Sequence, residues 1–136
     1  MARARRLPTL DKRALLHATN APRQQLLAQA DFHLAEGALY DALDFFEKAR
    51  DAEGLNRVRD AAIEDGDATL LAWIERNGLA ELTAAHWLAA GENARKAGKF
   101  HDAARAFEKA GDPAKAQQAR TASTPQPTAS DDQSKE

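Results

Sequence analysis

Apolar side chains along this chain recur at three- and four-residue intervals, the spacing of one face of a helix. Leu26, Ala30, His33 and Leu34 share such a face. Pro22 precedes them and suits a first helical turn, where its missing N–H would have no partner anyway. The run stops at Gly37. A second run carries Leu39, Ala42, Leu43, Phe46 and Ala49 and is expected to stop near Gly54. Leu55, Val58, Ala62 and Ile63 form a short one ended by Gly66. Asp67 caps the next, with Leu70, Leu71 and Ile74 on its stripe and Gly78 at its end. Thr83 opens a helix through Trp87, Ala90 and Ala94 to Gly98. Phe100, Ala103, Phe107 and Ala110 follow, ended by Gly111, and Pro113 starts a last helix that fades near Arg120. A short helix from Leu10 to Ala18, capped by Thr9, is expected ahead of them all.

Glycine tolerates the left-handed backbone that closes a helix, so glycines at run ends are termination signals. On this pattern six of the seven sit at helix ends. Gly91 lies inside a helix, at a cost of about 1 kcal/mol relative to alanine. A neighbour too close for any side chain would account for it. Val58 is the only valine, and no β-branched stretch alternates apolar with polar, so strands are not expected. The fold class is all-α. Three regions follow from composition: a basic arm at 1–8, a helical domain at 9–120, and a polar tail at 121–136. The tail, TASTPQPTASDDQSKE, lacks the bulky apolar surface that would offset its ordering entropy.

One stretch occurs twice. Residues 37–51 read GALYDALDFFEKARD and residues 98–112 read GKFHDAARAFEKAGD, with eight of fifteen positions identical and no gap. The register extends backward, because Leu26 and Trp87, and Ala30 and Gly91, are also 61 residues apart. The repeated unit is therefore a whole helix pair. Small residues let two helix backbones approach, bulky ones fill the gaps, and a glycine turns the chain.

Trp87, Gly91, Gly98, Phe100, Ala103, Phe107 and Ala110 resemble the tetratricopeptide repeat family, and Leu26, Ala30, Gly37, Leu39, Ala42, Phe46 and Ala49 follow the same pattern more loosely. The resemblance implies antiparallel helix pairs stacked into a solenoid, here of about three pairs with short flanking helices. A family repeat has about 34 residues. The 61-residue spacing exceeds that by only 27, so a shortened middle pair is expected at about residues 57 to 83, with Trp73 and Ile74 packed inside it.

The alanine-rich composition, 43% hydrophobic but only 6% aromatic, suits thin, closely packed helices. A net charge of −2 argues against a surface built for nucleic acid. No apolar run reaches the roughly 18 residues of a membrane span. With no cysteine, disulfides and thiolate metal sites are excluded, and a cytoplasmic location is the expectation. His17, His33, His86 and His101 fall in separate predicted helices without ligand spacing, and are expected as surface or interhelix residues. There is no phosphate loop, dinucleotide glycine pattern or serine elbow. Neither catalytic activity nor a cofactor is therefore expected.

Stacked helix pairs leave the first helix of each pair on a concave side, where partners bind. That face includes Gln24, Leu27, Asp31 and Leu34 in one unit and Leu88, Glu92, Arg95 and Lys96 in the other. The expected partner is another protein or peptide segment, with leucines as anchors and charges setting register. The competing reading of those leucines is packing against neighbouring pairs. A nucleic-acid partner held by the basic stretch from Arg3 to Arg13, and self-association through open stack ends, are the alternatives.

Overall fold

The computed structural model describes Leu15 and residues 22–123. Over residues 22–123 seven helices follow one another: α1 (Arg23–Ala35), α2 (Leu39–Ala49), α3 (Ala52–Asp65), α4 (Ala68–Arg76), α5 (Ala84–Lys96), α6 (Phe100–Ala110) and α7 (Pro113–Ser123). No strand occurs among the described residues. The basic arm at 1–8, the short helix expected over Leu10 to Ala18 apart from Leu15, and the tail from residue 124 onward lie outside the described residues. Leu15 is helical and packs on the core. The last helix continues to Ser123, past the end expected near Arg120.

The starts of α4 and α5 follow the capping chemistry in the sequence, whereas α1, α2, α3 and α6 start without a side-chain cap. The Asp67 carboxylate accepts the Leu70 N–H at 3.0 Å. Thr83 and His86 cap reciprocally: the Thr83 hydroxyl accepts the His86 N–H, and His86 Nδ1 accepts the Thr83 N–H at 3.0 Å. His86 is thereby a cap rather than a ligand. Gly66 is needed twice over. Its φ is 65°, and a Cβ there would stand 2.6 Å from the Ala94 nitrogen of α5. Next to it, Asn93 donates to the Ile63 carbonyl at 2.8 Å, adding a second donor to the Gly66 N–H at the end of α3.

Consecutive helices pack against one another, with little contact between α4 and α5, and alternate ones also touch: α3 lies on α5, and α4 lies on α6. Leu43, Phe45, Phe46, Val58, Leu70, Leu71 and Ile74 are wholly buried in one large cluster. A smaller C-terminal cluster consists of Phe107 and five alanines. His33 is 3% exposed, stacked on Phe45 with ring centroids 5.6 Å apart. It is a core residue, its Nδ1 4.0 Å from Asp41.

Three expectations need correction. Gly54 does not end a helix. The second run stops at Ala49, Arg50 takes the left-handed turn at φ 54°, and Gly54 lies in the first turn of α3. The middle pair is α3–α4 at 52–76 rather than 57 to 83, because the turn glycines Gly37, Gly66 and Gly98 are 29 and 32 residues apart. The 61 residues are thus shared almost evenly, and no single pair carries all the shortening. Ile74 packs as expected, but Trp73 is 47% exposed. On α4 the buried stripe through Leu70, Leu71 and Ile74 leaves position 73 on the outer side.

Candidate functional site

The internal repeat places side chains at matched distances from each turn glycine. Seven residues ahead of Gly37, Gly66 and Gly98 stand Ala30, Arg59 and Gly91; nine residues after them stand Phe46, Glu75 and Phe107. In the first and last pairs a small residue and an aromatic recur. In the middle pair an arginine and a glutamate replace them.

The face expected to bind a partner is divided by the structure into packing and free groups. Leu27 and Leu34 are half-buried against the core, so they serve the neighbouring helices. Gln24 is exposed. Asp31 of α1 pairs with Arg57 of α3 at 3.0 Å, and the Arg57 guanidinium lies 5.2 Å from the centroid of the Phe46 ring. Sixty-one residues on, Glu92 of α5 pairs with Lys115 of α7 at 2.8 Å, and Lys115 Nζ lies 5.7 Å from the Phe107 centroid. The acid–cation–phenylalanine arrangement therefore occurs twice and ties each first helix to the next one along. Arg95 also donates to Glu92, at 3.1 Å. Hydrogen bonds from Lys115 and then Arg95 hold the Glu92 carboxyl below its ordinary pKa, and Glu92 in turn raises the Lys115 ammonium.

A shallow cavity of about 280 Å³ is left there, lined by Glu92, Arg95, Phe107, Lys115 and Gln118. Lys115 and Gln118 were not expected at this face. The spacing of Glu92 and Arg95 signals their own pairing, but nothing local to α7 announces that it would close over them. Leu88, 37% exposed, and Lys96 remain open to solvent on α5.

Among the described residues, the other large exposed apolar side chains are Tyr40 and Trp73, at 50% and 47%. They sit on second helices, α2 and α4, rather than on the expected first-helix face. Partial burial, then the charges of Asp67 and Asp102, push the Tyr40 phenol above its ordinary pKa, so it stays a neutral donor.

Among the described residues no group of three or more His, Asp or Glu side chains is placed to hold a metal ion. No described helix is long and apolar enough to cross a membrane. The basic stretch from Arg3 to Arg13, on which a nucleic-acid partner would depend, lies outside the described residues. Compared with protein-family models, with curated proteins and with solved structures, the chain finds no match in any of the three.

Proposed function

We propose that this chain is a protein-interaction module without catalytic activity: a tetratricopeptide-like stack of the pairs α1–α2, α3–α4 and α5–α6, closed by α7. The observation that carries the reading is the exposure of Tyr40, Trp73 and Leu88 on a domain that buries its other bulky apolar side chains more fully. Large exposed apolar side chains are candidate contact points for a partner, and tyrosine and tryptophan are enriched at interface centres. The outward side of α7 is polar, with Gln117, Gln118 and Thr121 exposed, as in a helix that ends a stack. Lys96, and Arg95 in its pair with Glu92, supply charge beside Leu88 at the rim of the first-helix face.

The test uses the full chain as bait in lysate from its own cells, with crosslinking, and compares Trp73→Ser, Leu88→Asp and a double Arg95→Glu, Lys96→Glu variant. All four positions are exposed, so helicity by circular dichroism should be unchanged. A partner recovered by the wild type and lost from at least one variant supports the module. Recovery of no protein, or of the same proteins by every variant, counts against it.

A further inference from the structure

Two departures from the internal repeat meet at one place. The first is at the end of α2. Helix α6 ends in Gly111 at φ 82°, whereas α2 ends at the matched position in Arg50, at φ 54°. Arg50 is the only non-glycine with positive φ among the described residues. The left-handed region crowds any side chain against its own backbone, and glycine meets the same turn without strain. A strained residue kept where the repeat shows that glycine suffices is a reason to look for work done by its side chain.

The second departure is in the middle pair. Helix α4 stops at Arg76, so Gly78 stands where α2 and α6 still carry Ala49 and Ala110. Seven residues, 77–83, then lead to α5, against two between α2 and α3 and two between α6 and α7. Arg59 donates to the Glu81 carbonyl at 3.0 Å and holds this longer connection down.

The early end of α4 opens a cleft of about 890 Å³. Arg50 lines it with Asp44, Glu47 and Lys48 of α2, Ala52 and Leu55 of α3, and Gly78 and Leu79 of the long connection. Leu55 is 7% exposed and Leu79 half-buried, so they form an apolar floor. Arg23, Arg57, Arg59, Arg105 and Lys109 all have hydrogen-bond or ion-pair partners. Lys48 and Arg50 have none among the described residues.

We propose that this cleft is a docking site for a peptide segment of a partner protein, an aliphatic side chain resting on Leu55 and Leu79 and a neighbouring acidic side chain meeting Lys48 and Arg50. The proposal rests on the reading of the chain as an interaction module, and it adds a second surface, separate from the first-helix face. Charge complementarity sets the occupant. Two unpartnered cations beside an apolar floor match an acid next to an aliphatic anchor. Asp44 and Glu47 on the same stretch of α2 repel a run of negative charge, which disfavours a polyanion such as nucleic acid.

The experiment measures fluorescence polarisation of labelled peptides on the full chain. The panel sets a central leucine in an otherwise uncharged frame carrying one acidic, no charged or one basic residue beside it, with a labelled single-stranded oligonucleotide in parallel. The peptide with the acidic residue should bind, and at least about tenfold more weakly to Lys48→Glu and to Arg50→Gly. Arg50→Gly should at the same time unfold at a higher temperature, since glycine relieves the left-handed turn. A variant that is more stable yet binds less separates the side chain's role from folding. Leu88→Asp should leave this binding unchanged.

Absence of binding by any peptide would overturn the cleft proposal. So would equal binding to Arg50→Gly, a preference for the peptide with the basic residue, or oligonucleotide binding lost with Lys48→Glu. Failure here leaves the module itself standing if the crosslinked partner is still lost from the Trp73 or Leu88 variants. Failure of both experiments removes the module reading as well.

Discussion

The outer pairs and the middle pair solve one packing problem in two ways. In α1–α2 and α5–α6 the position nine residues after the turn glycine is a phenylalanine, buried against a glycine in a helix. The Phe46 ring covers Gly54 of the following helix, and the Phe107 ring covers Gly91 of the preceding one. Each glycine has a reason beyond its own helix, since a methyl group there would enter the aromatic ring. The neighbour that excludes a side chain at Gly91 is thus a ring rather than a backbone. In α3–α4 the same position is Glu75, which accepts from Trp87 Nε1 at 3.1 Å and from Lys109 Nζ at 2.8 Å. Lys109 also lies 5.7 Å from the Trp87 ring centroid. A dry contact and a satisfied polar network occupy equivalent places. The polar version holds only while each of its members keeps a partner.

The largest way to break this comparison is to remove an outer aromatic. Phe107 is the one bulky side chain in a cluster otherwise made of alanines. Alanines cannot swing in to fill the space, so Phe107→Ala should lower stability by about 3–5 kcal/mol. Urea unfolding checks this. If Glu75→Ala costs as much, the distinction between outer and middle pairs is lost.

A smaller effect tests the glycine. Gly54→Ala puts a methyl group into the Phe46 ring and should cost about 1–3 kcal/mol, although alanine is the better helix former by about 1 kcal/mol. Thermal and urea midpoints that rise instead would show that Phe46 moves aside freely.

The smallest effect concerns the middle pair and depends on pH. The hydrogen bond from Lys109, opposed by partial burial and assisted by the Trp87 N–H, holds the Glu75 carboxyl below its ordinary pKa. A carboxyl with a lowered folded-state pKa stabilises fully above its unfolded value, and that contribution disappears as the pH falls through the folded value. Glu92 acts in the same direction. The Glu75 side chain is 37% exposed, so Glu75→Gln should cost only about 0.5 kcal/mol at neutral pH. Below the folded-state pKa, wild type and variant should converge. Unfolding curves that stay equally far apart at about pH 3 and pH 7 would show that the charge contributes nothing.

Much of the architecture is written in local chemistry. Helix period, the caps Asp67 and Thr83 and the turn glycines Gly37, Gly66 and Gly98 act within a few residues, so the sequence by itself specified helices and most of their ends. The doubled motif likewise marked Phe46 and Phe107 as equivalent. Gly54 was misread because a glycine near a run's end and one facing a ring look alike until the ring is placed. Trp73 was misread because apolar character alone does not say which side of α4 faces the core.

Tertiary structure alone decided which acids are free and which tie helices together. Asp31 and Glu92 read as charges offered to a partner until α3 and α7 bring Arg57 and Lys115 to them from 26 and 23 residues away. The division of 61 residues into 29 and 32, and the cleft left by the early end of α4, also belong to that level. The physical reason is the same in each case. Turn and cap energies are set by neighbours along the chain, whereas ring-on-glycine contacts, ion pairs between helices and gaps between them depend on distances that exist only once the helices have packed.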